Sequence, residues 1–152
     1  MIVSQSAGAV KKFRRTPWRF QQTISSSGDP EGLAATIVAA HGEMEEVIVT
    51  IDEVVFNTVR LSELLPDGPT LQLGRDSAIS ASSPEEIQKL LVAAFDDGVD
   101  CICSPTPKPF VFYADHENWI TFYANTKSNL NLIIEPMERA GYKLVKNRVR
   151  EW

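Results

Sequence analysis

Residues 110–125 read FVFYADHENWITFYAN, and no other stretch limits the fold so tightly. Two runs of aromatic and β-branched residues flank Asp115-His116-Glu117-Asn118. Bulky side chains of this kind suit a pleated, partly buried surface, and Asp and Asn suit the turn between them. The segment is therefore predicted to be a β-hairpin. A hairpin with one face in water alternates apolar with polar residues, and this one does not. An odd-sum register, such as Ala114 opposite Trp119, puts Phe110, Phe112, Trp119 and Tyr123 on one face. Val111, Tyr113, Ile120 and Phe122 then fall on the other. The hairpin is predicted to lie inside a sheet, covered by helices on one side and by the N-terminal arm or a partner on the other.

Around the hairpin the chain alternates helical and strand patterns. Asp29-Pro30 supplies a helix start, Leu33, Ala34, Ile37 and Val38 supply an apolar stripe, and Gly42 supplies the stop. Val47–Ile51 is β-branched throughout and favours a strand. The following residues divide two ways: Asp52 caps a helix bearing Val55, Phe56 and Val59, or the strand continues. The preferred reading is strand, then irregular or strand, then a helical turn at Ser62–Leu65, ended by Pro66-Asp67-Gly68-Pro69. Leu71–Leu73 and Ala78–Ala81 are short strand candidates. Ser83-Pro84-Glu85-Glu86 is a capping box, and Ile87, Leu90, Leu91, Ala94 and Phe95 form the stripe of the helix it opens. Gly98 stops that helix and Val99–Cys103 resumes as a strand, which suggests a βαβ crossover with at least one parallel pair. After the hairpin, Leu130, Ile133, Ile134, Met137 and Ala140 mark a helix capped by Ser128 or Thr126, with Pro136 predicted to kink it or delay its start. Tyr142–Val145 closes as a strand.

The predicted class is α+β, with α/β as the alternative: a single domain with a mixed sheet, a central hairpin at about 110–124 and about three helices. Residues 1–28 read as a poorly structured basic and aromatic arm, partly docked through Trp18 and Phe20, and 29–152 as the globular domain. At 152 residues and 43% hydrophobic content the chain can bury a substantial core. No apolar run reaches the ~18–20 residues that span a membrane, and the charges of the N-terminal stretch follow its apolar part, unlike a secretory signal. Cys101 and Cys103 are read as facing opposite sides of a strand, which argues against a mutual disulfide and for a reducing, cytoplasmic setting.

Charge is unevenly distributed. Residues 1–20 hold Lys11, Lys12, Arg14, Arg15 and Arg19 and no acid, and residues 139–152 hold five more bases against Glu151 alone. Residues 21–138 hold five bases and nineteen acids. Basic ends folded back on an acidic body, or simply solvated, account for this pattern. An acidic surface that steers a basic partner is the functional alternative.

Asp115-His116-Glu117 is the best catalytic candidate, because flanking carboxylates favour the imidazolium and a loop tip can present it to a substrate. Ordinary turn chemistry explains the same residues. His41 complements a helix C-terminus. A zinc site is not expected, because Cys101 and Cys103 lack the usual C-x₂₋₄-C spacing, and no cofactor is implied. There is no G-x-S-x-G elbow and no phosphate-binding loop. Lys11–Phe20 mixes bases with Phe13, Trp18 and Phe20, but the acidic body would repel a polyanion, so nucleic acid is a poor fit. The leading expectation is a non-enzymatic protein-binding domain, comparable in class to a cognate inhibitor such as a bacterial toxin's immunity protein. In that reading Glu43, Glu45, Glu46, Asp96, Asp97 and Asp100 steer a basic partner, and Trp18, Trp119 and Tyr123 anchor it. The alternatives are a ligand-binding or hydrolase-like protein using the 115–117 loop, and a subunit that self-associates through basic ends and acidic body.

Overall fold

A computed structural model describes all residues except 27, 69–71, 147 and 151. Eight strands form one open sheet: β1 (Ile2–Gln5), β2 (Phe20–Ser25), β3 (Glu46–Glu53), β4 (Ser77–Ala81), β5 (Asp100–Thr106), β6 (Val111–Ala114), β7 (Trp119–Ala124) and β8 (Lys143–Val145). Among the described residues, five helices connect them: α1 (Ala9–Arg15), α2 (Pro30–His41), α3 (Val59–Glu63), α4 (Pro84–Asp97) and α5 (Lys127–Arg139). The strand order is β1-β4-β3-β5-β6-β7-β2-β8, and every neighbouring pair is antiparallel. The architecture is α+β.

The expected parallel pair is absent among these strands. β4 and β5 do run the same way around α4, but the crossover leaves a gap one strand wide, and β3 fills it by pairing with both. β7 and β8 straddle β2 in the same manner around α5. The sheet is thus antiparallel rather than mixed, and five helices replace the expected three.

The hairpin register also differs from expectation. Ala114 pairs with Ile120 and Phe112 with Phe122, an even-sum register. The cause is the turn. Asp115 N–H donates to the Trp119 carbonyl and Asn118 N–H to the Asp115 carbonyl, with Asn118 in the left-handed region at φ 64°. A three-residue loop closed by a left-handed residue sets this pairing. Phe110, Phe112, Ala114, Ile120, Phe122 and Ala124 therefore share one face with Val47, Val49, Ile51, Cys101 and Cys103, packed in one core with residues of α2, α4 and α5. Residues two apart on a strand share a face, so the two cysteines lie side by side with Sγ atoms 3.9 Å apart rather than on opposite sides. Both are buried, free thiols.

The other face carries Ile102, Val111, Tyr113 and Tyr123, against which Val10 and Phe13 of α1 and then Trp18 pack. Phe13 stacks on Tyr113 and meets Tyr123 edge-on, with ring centroids 6.3 and 5.4 Å away. Residues 1–28, read as a loose arm, instead contribute β1, α1 and β2. Gln22, Thr23 and Ile24 find backbone partners on both β7 and β8 or only on β7, according to how far β8 extends. Local propensity is weak here because the stabilising partners lie about a hundred residues downstream in β7.

Helix starts follow the local signals where the cap is local. Asp29, Ser83 and Thr126 accept the backbone N–H groups of Gly32, Glu86 and Asn129. Glu86 does not close the capping box and reaches the Met1 amine instead, at 3.1 Å. α3 starts earlier than the expected turn at Ser62, because buried Asp97 accepts from Arg60 N and Leu61 N, at 3.1 and 3.0 Å. Of the strand expected at Leu71–Leu73, Leu71 lies outside the described residues and Gln72–Leu73 form none. Among the described residues, no helix is long and apolar enough to cross a membrane.

Candidate functional site

One end of the sheet gathers the chemistry. Glu53 pairs with Asp100 at the start of β5, and the 115–118 turn closes β6 and β7 beside it. Gly98, at φ 63°, turns the chain from α4 toward β5. A side chain there would be strained by the positive φ and would press on Phe56, whose ring edge lies 3.1 Å from the position a Cβ would take. The Phe56 ring also meets the His116 imidazole edge-on, with centroids 6.0 Å apart.

His116 is held by Asp100 and not by its sequence neighbours. Its backbone N–H donates to Asp100 Oδ1 at 2.8 Å, and its Nδ1 lies 2.9 Å from the same oxygen. Nδ1–H is therefore the donor, which leaves Nε2 as the ring's free position, 3.9 Å from Glu117 Oε1. The hydrogen bond to Asp100 raises the His116 pKa above the usual 6.5. Partial burial opposes it, and the charges of Asp100, Asp115 and Glu117 reinforce it.

Asp115 has a different task. Its Oδ1 accepts the backbone N–H groups of Glu117 and Trp119, at 2.8 and 3.3 Å, and its Oδ2 pairs with Arg150. It builds the turn and ties down the C-terminal stretch. Glu117 is exposed. The three adjacent residues thus divide into a turn former, an oriented imidazole and a surface acid.

The acids expected to act as one surface are not brought together. Glu43, Glu45 and Glu46 precede or open β3, whereas Asp96, Asp97 and Asp100 lie near its far end. The eight residues of β3, at roughly 3.3 Å each, put more than about 20 Å between the groups. Asp97 and Asp100 are buried, the first under α3 and the second under His116. Burial raises the Asp97 pKa, against the two backbone N–H groups that lower it. Asp96 is exposed and pairs with Arg60 at 3.2 Å.

The aromatic anchors are also engaged within the chain. Trp18 packs on Phe13 and Tyr123, and Arg148 sits 3.8 Å above the Trp119 ring. Tyr123 is buried, which pushes its phenol up to about 12 despite Arg150 and Arg148. His41, at the end of α2, accepts Glu43 N–H on Nδ1 and is therefore the donor from Nε2 to the Pro107 carbonyl, at 2.7 Å.

A second cluster was not anticipated. Asp52 is buried on the α1 face, where it accepts from Arg14 at 2.8 and 3.0 Å, Arg75 at 3.0 Å and the Tyr113 hydroxyl at 2.5 Å. Burial, together with the hydrogen bond to Asp52, drives the Tyr113 phenol far above its ordinary range. Asp52 caps no helix. The only sequence signal was a carboxylate continuing a strand of apolar and β-branched residues.

Three exposed apolar side chains lie at the same end as His116. Val55, Phe56 and Val59 are exposed, Phe56 by 64%. Two depressions flank α3. One, of about 790 Å³, is lined by Pro30, Leu64, Val92, Arg60 and Asp96 among others. The other, of about 690 Å³, is lined by Val54, Val59, Ser62 and Leu65, and Glu63 borders both. Among the described residues, no three His, Cys, Asp or Glu side chains are placed to hold a metal ion. Comparison with protein-family models, curated proteins and solved structures finds no match to this chain.

Proposed function

We propose that the protein is a binding domain for another protein, and that its contact surface is the Val54–Thr58 loop together with α3. The observation that carries this reading is the exposed trio Val55, Phe56 and Val59, of which Val59 lines one of the two depressions beside α3. An aromatic anchor among apolar neighbours and a polar rim is the usual composition of a contact centre. The rim is acidic: Glu53, Glu63, Asp96 and Glu117 are exposed there, against Arg60 and partly exposed His116. A basic partner fits that field, and occlusion of the partner's own surface would be the mechanism, as in a cognate inhibitor. Photo-crosslinking from position 59, beside Phe56, in the host cell tests the surface. Capture of a basic protein, lost in Phe56→Asp while the melting temperature holds, is the expected outcome. A partner that binds Phe56→Asp as tightly as the native chain excludes this surface.

The oriented imidazole supports a second reading. A buried carboxylate that fixes Nδ1–H and leaves Nε2 toward the outside is an arrangement suited to general acid–base work. This reading requires turnover of some ester, amide or phosphate substrate that His116→Gln abolishes without unfolding the chain.

A further inference from the structure

The sheet has two edges, β1 and β8. β8 is three residues long and begins with Lys143, and the chain beyond it returns across the sheet to place Arg150 N–H on the Gln21 side chain, at 3.0 Å. β1 is only one residue longer, but among the described residues it has no such cover. Its sequence, Ile2-Val3-Ser4-Gln5, carries no charge and no proline, and Ile2 is 72% exposed. Edge strands are ordinarily blunted by charge, proline, bulges or cover, because their outer backbone groups can template another strand.

The outward groups can be named. Ser6 N–H donates to the Asp76 carbonyl, in line with the Gln5–Ser77 register of β1 and β4. Bonding direction alternates along a strand, so Ser4 and Ile2 also point their N–H groups at β4. Val3 and Gln5 therefore turn theirs outward.

We propose that β1 is a self-association edge, which takes β1 of a second copy in antiparallel pairing. A two-fold axis centred on Ser4 sets Val3 opposite Gln5 of the second copy, and each such pair exchanges both backbone bonds. The occupant follows from two observations. Every strand pair in this sheet is antiparallel, and a two-fold axis across an edge produces that pairing, so the sheet continues without a change of pattern. The net charge is −5, and an uncharged strand is the place where two copies meet without setting like charges opposite one another.

Val3→Pro tests the assignment, with Val3→Ala as the control for the packing that the half-buried Val3 side chain gives the core. It removes an outward N–H and none from the β4 ladder, and proline is tolerated on an edge strand whose N–H faces solvent. Sedimentation velocity over a concentration series is the measurement. The native chain is expected to approach twice its 16.9 kDa mass in a manner insensitive to salt. Val3→Pro should weaken the dimer roughly tenfold or more with unchanged circular dichroism. Ile2→Lys, which leaves the backbone intact, should weaken it in the same direction. A native chain that stays monomeric up to about 1 mM overturns the proposal, as does a dimer that survives Val3→Pro or dissolves in salt.

Discussion

Asp100 and His116 form the pair on which the chemistry of the hairpin tip depends. Because the folded pKa of His116 is raised above 6.5, the charged form is the one the fold favours. Linkage fixes the sign: the stabilisation is fully present below about pH 6.5 and is lost as pH rises through the folded value. A His116→Gln variant should accordingly lose more melting temperature at pH 5.5 than at pH 9, and proton NMR should place the His116 titration above that of a free imidazole. Equal losses at both pH values would show that Asp100 holds the ring without preferring its charge. The sequence offered His116 as a candidate but could not offer its partner. Asp115 and Glu117 are adjacent in the chain, yet turn geometry sends one to Arg150 and the other to solvent, and the controlling carboxylate sits sixteen positions upstream.

At the level of elements, the distance between a helix and its cap decides what was legible. Asp29, Ser83 and Thr126 each cap a backbone N–H three residues on, so α2, α4 and α5 could be read from the chain. α1 and α3 take acceptors for Val10 N and Leu61 N from Asp76 and Asp97, 66 and 36 residues away, and the local signal at α3 is only Asn57, whose Oδ1 accepts the Val59 N–H. The hairpin was legible as a hairpin, but its register hinged on one dihedral angle. Asn118 at φ 64° fixes the loop at three residues, and this decides which side chains enter which core. Asn118→Gly should leave stability within about 0.5 kcal/mol. Asn118→Val should cost about 1–2 kcal/mol in chemical denaturation, because a β-branched residue resists the left-handed region.

Across the whole molecule, the second apolar face of the hairpin is covered by the chain's own ends. Phe13 and Trp18 cover it from the N-terminal side, and Arg148, Arg150 and Trp152 from the other, with Trp152 4.9 Å from Tyr113 by ring centroids. The uneven charge has the same explanation in part: Arg14 reaches Asp52 and Arg150 reaches Asp115. Arg150 and Asp115 are both largely buried, so Arg150→Ala should destabilise the fold by about 3 kcal/mol, and the fluorescence of Trp119 and Trp152 should report the loosened strap. The strand order also dictates a timetable for a chain emerging from the ribosome. β2 is made well before both of its neighbours, β7 and β8. At ~5–20 residues per second, roughly 5–20 s pass before Trp119–Ala124 follows Phe20–Ser25 out. Throughout that interval Phe13 and Trp18 have no sheet to lie on. The nascent amino-terminal segment is the portion of this protein that would call on a chaperone.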